Sequence, residues 1–263
     1  MTELPDRRSA TALHTVCAGP ETAPPVVLVH GFTQTHVSWA PVTADLSRDH
    51  RVTAVDVPGH GGSDEIRADL TSGAELLGHA GGPAVYVGYS MGGRLALRLA
   101  LDRPELVSGL ILLGSTAGIA DPAERATRLL ADHALADRIE ADGVESFLNG
   151  WLAQPLFAGL AIAPADLAAR LGNSAQGLAS SLRQTGTATM DPPWWTDLPA
   201  ISVPALVVAG QTDGKFAALG HRLVQAIGTN SHFVTVPGTG HAAHLQDPLA
   251  FAALVRAFAV TLS

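Results

Sequence analysis

The pentapeptide Gly88-Tyr89-Ser90-Met91-Gly92 fits the pattern G-x-S-x-G, and one more glycine follows it. A serine flanked by glycines can stand on a tight turn between a strand and a helix, because residues without a Cβ let the two elements approach closely. The start of the following helix would place positive potential and an unused N–H beside the hydroxyl. We therefore predict that Ser90 is the catalytic serine and that the Met91 N–H supports a developing negative charge.

A catalytic serine needs a base, and the base needs an acid that orients it. In architectures that carry this serine turn, the acid follows the serine along the chain and the histidine comes last. Asp213 and His241 both stand just after predicted strands, where sheet proteins place their sites, and we predict them as acid and base. His244 is the nearby competitor, but the Gly-Thr-Gly turn before His241 favours His241.

The second oxyanion donor is expected from the loop after the first long strand, which reads His30-Gly31-Phe32. We predict that the Phe32 N–H acts together with that of Met91. His30 is interpreted as a residue that supports the loop.

Short apolar runs that alternate with helix-length segments must position these residues. The first 115 residues carry runs at 25–29, 52–57, 84–89 and 109–113, and further runs follow at 205–209 and 233–236. Continuous runs of this length predict buried parallel strands. The segment 65–84 is short and rich in glycine, so a truncated helix is expected there.

Alanine- and leucine-rich helical stretches replace the strand runs between residues 116 and 200. We predict helices at 122–141, 144–151, 164–171 and 176–185. The predicted fold is α/β, with a mostly parallel, doubly wound sheet and a helical cap inserted before the strand that carries the acid. The core then comprises residues 1–115 and 201–263, and the cap residues 116–200.

The composition limits the classes of function. The chain has 263 residues, of which 47% are apolar and 15% charged, and this excludes a disordered chain. The formal net charge of −8 disfavours a nucleic-acid partner. It also weighs against an acidic substrate, although the charge of a whole chain does not fix that of a pocket. The single cysteine, Cys17, excludes an internal disulfide and a cysteine-based zinc cluster.

The sequence has no apolar leader and no unbroken apolar run of about 20 residues, the length that a membrane span needs. We therefore expect a cytoplasmic protein without membrane contact, as a monomer or small homo-oligomer.

Five segments carry a resemblance to a known family: VLVHGF, DVPGHGGSD, GYSMGG, GQTDGKF and GTGHAAHLQDP. They resemble the α/β-hydrolase fold superfamily over nearly the whole chain, which implies the α/β-hydrolase fold. Because this fold hosts esterases, carbon–carbon hydrolases, dehalogenases, haloperoxidases and lyases, the resemblance does not by itself imply a reaction.

A narrower resemblance lies in the inserted segment, which contains AERATRLLAD, GWLAQPLF and ARLGNSAQGLASSLRQTGT. With the arginine of GYSMGGR and the chain's only lysine in DGKF, these segments are similar to 2-succinyl-6-hydroxy-2,4-cyclohexadiene-1-carboxylate synthase of menaquinone biosynthesis. That family binds a substrate with three carboxylates through basic residues. The resemblance implies that the binders of the anionic groups are Arg94, Arg128 and Arg170, and that the site is also lined by Tyr89, Trp151 and Lys215.

Arg125 remains open as the alternative to Arg128, since a slip of one helical turn exchanges them. Guanidinium groups suit carboxylates because they bind them in a bidentate manner and keep their charge. Arg94 lies one helical turn past Ser90, so it can face the same pocket.

The resemblance implies a lyase that eliminates pyruvate from a small anionic substrate, with the serine, histidine and aspartate acting as a base and without a metal or organic cofactor. A serine hydrolase of an ester or a carbon–carbon bond is the alternative enzyme. A receptor that uses the same pocket only to bind a ligand is a third reading, which the intact set of Ser90, Asp213 and His241 disfavours.

Overall fold

The computed structural model describes residues 12–262, and its strands form one sheet. The strands are β1 Thr15–Ala18, β2 Pro25–Val29, β3 Arg51–Val55, β4 Ala84–Tyr89, β5 Val107–Leu113, β6 Ala205–Gly210 and β7 Ser231–Val236. Their order across the sheet is β1-β3-β2-β4-β5-β6-β7, and every neighbouring pair is parallel except β1 and β3. The predicted mostly parallel sheet is confirmed.

Strand β1 is the one described strand without a counterpart in the sequence prediction. It has four residues at the edge of the sheet, and the two central ones, Val16 and Cys17, are exposed. An exposed edge strand of this length produces no apolar run, so the periodicity of the sequence does not reveal it.

The helices cover both faces of the sheet. Their bounds are α1 Ala40–Leu46, α2 Leu70–Gly81, α3 Met91–Asp102, α4 Pro122–Leu152, α5 Pro164–Leu171, α6 Ala175–Thr185, α7 Gly214–Ile227, α8 Ala243–Gln246 and α9 Pro248–Val260. The apolar side chains of α2, α3 and α7 pack on one face of the sheet, and those of α1 and α9 on the other. None of the described helices is both long enough and apolar enough to cross a bilayer.

The expected truncation of the helix before β4 is wrong. Helix α2 has 12 residues, as many as α3, and the Asp69 side chain caps its first turn. Its glycines serve close packing instead: a Cβ on Gly73 would lie 3.0 Å from the Leu95 side chain, and one on Gly78 2.9 Å from that of Leu99. The glycine-rich composition therefore reflects the contact between α2 and α3 and not an early end of the helix.

Helices α4, α5 and α6 form the cap between β5 and β6. The two helices predicted at 122–141 and 144–151 are present: Pro122–Leu152 is interrupted at Gly143, whose φ of +81° and ψ of +166° are not helical. The cap has its own small core, to which α4 contributes Ile139 and Phe147 and α6 contributes Leu178 and Leu182. The predicted limits of the cap fall between β5 and α4 and between α6 and β6.

Candidate active site

Ser90 stands on the turn between β4 and α3. Its φ of +50° and ψ of −105° lie outside the regions that residues with a Cβ favour, a strain of about 1–3 kcal/mol. The turn closes because its neighbours are glycines: a Cβ on Gly88 would lie 2.5 Å from the Gly92 carbonyl oxygen, and one on Gly92 2.3 Å from that of Val29. The backbone around Ser90 has the predicted geometry.

His241 and Asp213 lie together beside Ser90. Nδ1 of His241 is 2.8 Å from Oδ2 of Asp213, and both side chains are buried. The other carboxylate oxygen of Asp213 accepts the N–H of Phe216 at 3.2 Å, which fixes the acid at the start of α7. Ser90 and His241 line one cavity, although their side chains do not hydrogen bond to each other within residues 12–262. In enzymes without ligand, such bonds often form only when the substrate closes the site.

His244, the competitor for the base, is placed elsewhere. It is fully buried, with its ring 4.3 Å from that of Tyr89 and 4.4 Å from that of Trp39. Burial lowers its pKa well below the usual value, and the positive charge of Arg170 acts in the same direction. A neutral, enclosed imidazole away from Asp213 has no acid to orient it, so the geometry favours His241.

The loop after β2 contributes Phe32 to the wall of the same cavity. Within the described residues, neither the Phe32 N–H nor the Met91 N–H donates a hydrogen bond, and both residues line the cavity. His30 stabilises this loop through two contacts of its ring. Its Nδ1 is 2.8 Å from the Gly31 carbonyl oxygen, and its Nε2 accepts the Val57 N–H at 3.1 Å. Burial lowers the pKa of His30 to about 4, so the ring is neutral and supports the loop, as the sequence predicted.

The cavity has a volume of about 460 Å³, and its walls carry several cations. Arg94, Arg128 and Lys215 line it, as the resemblance implied. Arg94 is buried, and its Nη2 donates to the Thr185 carbonyl oxygen at 2.7 Å. Burial lowers the pKa of Arg94 to about 10, and nearby Arg128 adds to this effect, but the side chain stays charged at neutral pH.

Arg125 and Arg128, the two alternatives left open by the sequence, differ in their position relative to the cavity. Arg128 faces the cavity and donates from Nε to the buried carboxylate of Asp132 at 2.8 Å. Arg125 does not line the cavity; it donates to the Ile119 carbonyl oxygen and pairs with Asp191 at 2.9 Å. Of these two residues, Arg128 is therefore the one that can reach a bound anion.

Arg170 was expected to contact the substrate, but the structure places it outside the cavity lining. Arg170 does not line the cavity, and its three nitrogens are taken by Asp166 and Thr33. The Asp166 carboxylate accepts from its Nε and Nη2, and the Thr33 hydroxyl accepts from its Nη1 at 3.1 Å. This is a buried ion pair that ties α5 to the loop after β2, and sequence spacing cannot separate such a pair from a ligand-binding arginine.

Aromatic rings form the apolar part of the wall. Tyr89 and Trp151 line the cavity, as the resemblance implied. The Trp151 ring stands 5.4 Å from that of Phe32 and 5.7 Å from that of Phe157. The His241 ring lies 4.3 Å from that of Phe216, with the two planes tilted by 36°. Apolar walls of this kind lower the local dielectric and so strengthen electrostatic interactions beside them.

Comparison with known proteins assigns the chain to a family. The model of a family described as Alpha/beta hydrolase family matches residues 26–254. The chain belongs to the alpha/beta hydrolase family. The seven-stranded, mostly parallel sheet of its described residues is the α/β-hydrolase fold that the resemblance implied.

Its relatives within the α/β-hydrolases point to one named activity. The 2-succinyl-6-hydroxy-2,4-cyclohexadiene-1-carboxylate synthase of Serratia proteamaculans is 34% identical over 90% of this chain and 93% of its own length. A Bacillus subtilis protein, which bears the same name provisionally, is 33% identical over 93% of each chain.

Solved α/β-hydrolase structures are also similar. The structure of MenH from S. aureus superposes with a TM-score of 0.86 at 30% identity, covering 96% of this chain and 99% of that chain. A thermophilic esterase from Thermogutta terrifontis superposes with a TM-score of 0.79 at 26% identity, covering 95% of this chain and 93% of the esterase.

One cation of this α/β-hydrolase was missed from the sequence. Arg222 lines the cavity, with its guanidinium carbon 3.8 Å from the centre of the Trp195 ring. Arg222 follows Lys215 by seven residues on α7, and this spacing puts both on one helix face. The periodicity of α7 was therefore the signal that could have found it. The acidic residues Asp121 and Glu124 also line the cavity and were not predicted.

Proposed function

We propose that this α/β-hydrolase eliminates pyruvate from an enolpyruvyl-cyclohexene polycarboxylate, abbreviated SEPHCHC, to give 2-succinyl-6-hydroxy-2,4-cyclohexadiene-1-carboxylate in menaquinone biosynthesis. One observation carries the proposal: the cavity that holds Ser90 and His241 is also lined by Arg94, Arg128 and Lys215. A substrate with three carboxylates needs such cations beside the reacting atoms. The names of the relatives support the same reaction.

In the proposed mechanism, His241 draws the proton from the Ser90 hydroxyl, and Asp213 holds the imidazole that becomes charged. The Ser90 oxyanion removes the ring proton alpha to the succinyl ketone. The electron pair of that bond moves to the ketone oxygen, which lies against the N–H groups of Phe32 and Met91. Donors of this kind contribute about 3–4 kcal/mol each to the transition state.

Collapse of the enolate completes the elimination. The electron pair returns through the ring, the bond from carbon to the enolpyruvyl oxygen breaks, and the leaving group becomes pyruvate by taking up the proton held by His241, which restores the neutral imidazole. Arg94, Arg128 and Lys215 do not react; they hold the carboxylates and so place the ring proton against Ser90. No step of this mechanism draws on a metal or organic cofactor.

The decisive experiment supplies SEPHCHC, freshly made by the preceding synthase of the pathway, and follows pyruvate through a coupled reduction. We expect the protein to release pyruvate well above the spontaneous rate. The Ser90→Ala and His241→Ala variants should fall to that rate, and their circular dichroism spectra should show that both are folded. Release by the wild type at the spontaneous rate would refute the proposed lyase activity.

Hydrolysis is the alternative function. The aromatic and aliphatic walls around Ser90, which include Phe32, Trp151 and Phe157, can also hold an acyl group, and one structural neighbour at 26% identity is an esterase. The triad would then attack a carbonyl carbon and form an acyl-enzyme. Turnover of short p-nitrophenyl esters above about 1 s⁻¹, the lower end of ordinary enzyme rates, together with no pyruvate release, would favour this reading.

A further inference from the structure

A second cluster of chemically active side chains lies outside the cavity. His14 comes just before β1, His36 begins a short 3-10 helix after β2, and Asp56 follows β3. Three separate parts of the chain thus bring two imidazoles and a carboxylate to one place, and none of the three lines the cavity.

The ligand atoms of this cluster converge. Nδ1 of His14 is 3.0 Å from Oδ2 of Asp56, Nδ1 of His36 is 3.0 Å from both carboxylate oxygens, and all three groups offer atoms within 4.8 Å of one another. Four-coordinate zinc has bonds of about 2.0–2.2 Å to nitrogen and oxygen, which separates neighbouring ligand atoms by about 3.3 Å. The contacts between each imidazole and Asp56 would therefore open by about 0.3 Å around such an ion.

The carboxylate is fixed before any ion arrives. Asp56 is fully buried and accepts the backbone N–H of His36 at 2.7 Å and that of Gly62 at 2.9 Å. Two glycines make room for the cluster: a Cβ on Gly61 would lie 2.4 Å from Oδ2 of Asp56, and one on Gly62 2.5 Å from the His14 ring. Backbone donors that orient a ligating carboxylate are the outer contacts that metal sites require.

The imidazoles, in contrast, can adjust and can be reached from solvent. The side chains of His14 and His36 are 43% and 28% exposed. In each ring, Nε2 has no hydrogen-bond partner within residues 12–262. If the ring hydrogen moves from Nδ1 to Nε2, no existing hydrogen bond of Nε2 is lost in the described part of the chain. It would present the Nδ1 lone pair to an ion.

We propose that His14, His36 and Asp56 form a binding site for a divalent transition-metal ion of the zinc class, with water completing the coordination. Two imidazole nitrogens and one carboxylate suit Zn²⁺, Co²⁺ or Ni²⁺, and the absence of a thiolate disfavours softer ions. The ion would tie β1 to the loops after β2 and β3, so its role is structural. The sequence predicted no metal site: the single cysteine excludes a cysteine-based zinc cluster, and the expected reaction needs no metal.

The test titrates tag-free, EDTA-stripped and desalted protein with Zn²⁺ by calorimetry and with Co²⁺ by visible absorption. We expect one ion per chain, the d–d bands of low-coordinate Co²⁺, and a melting temperature that rises with Zn²⁺ as mass action requires. His14→Asn and His36→Asn should each weaken binding at least tenfold and abolish the thermal shift. The matched controls, His79→Asn and His232→Asn, change exposed histidines outside the cluster and should bind as the wild type does.

The melting temperatures of all variants in EDTA show that each is folded. Wild-type binding weaker than millimolar would overturn the proposal, and so would equal binding by the wild type and both cluster variants. The two imidazoles would then be only hydrogen-bond donors to Asp56. Because every readout is binding or stability, the result is independent of whether the protein releases pyruvate.

Discussion

His60 gives the structure a measurable dependence of stability on pH. The ring is fully buried, its Nδ1 lies 3.0 Å from the Pro58 carbonyl oxygen, and its Nε2 accepts the Thr33 N–H at 3.2 Å. Burial lowers its pKa to about 3, and the neighbouring His30 acts in the same direction, against the weaker opposing effects of Pro58 and Asp56. Protonation of Nε2 would also replace an acceptor by a donor that faces the Thr33 N–H.

The size of the effect follows from linkage between proton binding and folding. In the unfolded chain His60 titrates near pH 6.5, whereas in the folded protein it stays neutral down to about pH 3. Between these values the unfolded chain binds the extra proton, so acidification favours unfolding. From pH 7.5 to 5.0 the loss from this one residue is about 2 kcal/mol in the free energy of unfolding. The loss is nearly the same for any folded pKa below about 4.

Urea unfolding at pH 7.5 and 5.0, in the presence of EDTA, measures this loss. The His60→Gln variant keeps a donor and an acceptor but does not titrate, so its decline between the two pH values should be about 2 kcal/mol smaller than that of the wild type. His232→Gln, at an exposed position on β7, is the matched variant for the loss of one histidine. A difference below about 0.5 kcal/mol between His60→Gln and wild type would mean that folded His60 accepts a proton near pH 6, contrary to its burial.

Three other substitutions test the site and its turn. Arg128→Ala should lower kcat/KM for pyruvate release about 10- to 100-fold, because one charged hydrogen bond to a carboxylate is lost. Arg125→Ala, outside the cavity, should leave kcat/KM within about twofold of the wild type. Equal effects of the two substitutions would exclude Arg128 as a substrate ligand. Gly88→Ala should destabilise the protein by at least about 2 kcal/mol in urea unfolding, because the new Cβ would lie 2.5 Å from backbone atoms. Gly150→Ala, on an open helix surface, should instead stabilise the protein by about 0.5–1 kcal/mol. An unchanged stability of Gly88→Ala would contradict the tight turn. Asp213→Asn should reduce kcat for pyruvate release by at least about 100-fold without a change in KM, because the imidazole loses the anion that stabilises its charged form. A kcat equal to that of the wild type would exclude Asp213 as the acid.

The sequence predicted the central strands because they are buried on both faces and therefore read as continuous apolar runs. β2 and β4 have the predicted bounds, 25–29 and 84–89. The prediction failed where an element is half exposed, as in β1, or where composition conflicts with packing, as in α2. Glycine in α2 lowers its helix propensity, but the contact with α3 outweighs that preference.

The turn around Ser90 was predictable for a different reason: its backbone needs glycines at fixed spacing, and that requirement is visible in the sequence. The pairing of His241 with Asp213 followed from their positions at the ends of β6 and β7. Arg222 was not predicted, because its spacing from Ser90 in the sequence matches no motif or helical period. Only the helix face that it shares with Lys215 connects it to the site.

Two buried arginines show why residue type and burial are not enough to find a ligand-binding group. Arg170 donates from each of its three nitrogens to Asp166 or Thr33, and these bonds hold its guanidinium away from the cavity lining. Arg94 donates within residues 12–262 only from Nη2, to the Thr185 carbonyl oxygen, and its buried Nε has no partner there. Arg94 lines the cavity, whereas Arg170 does not. Despite the net charge of −8, the site can favour an anion, because the cations on the cavity wall and not the total charge of the chain set its preference.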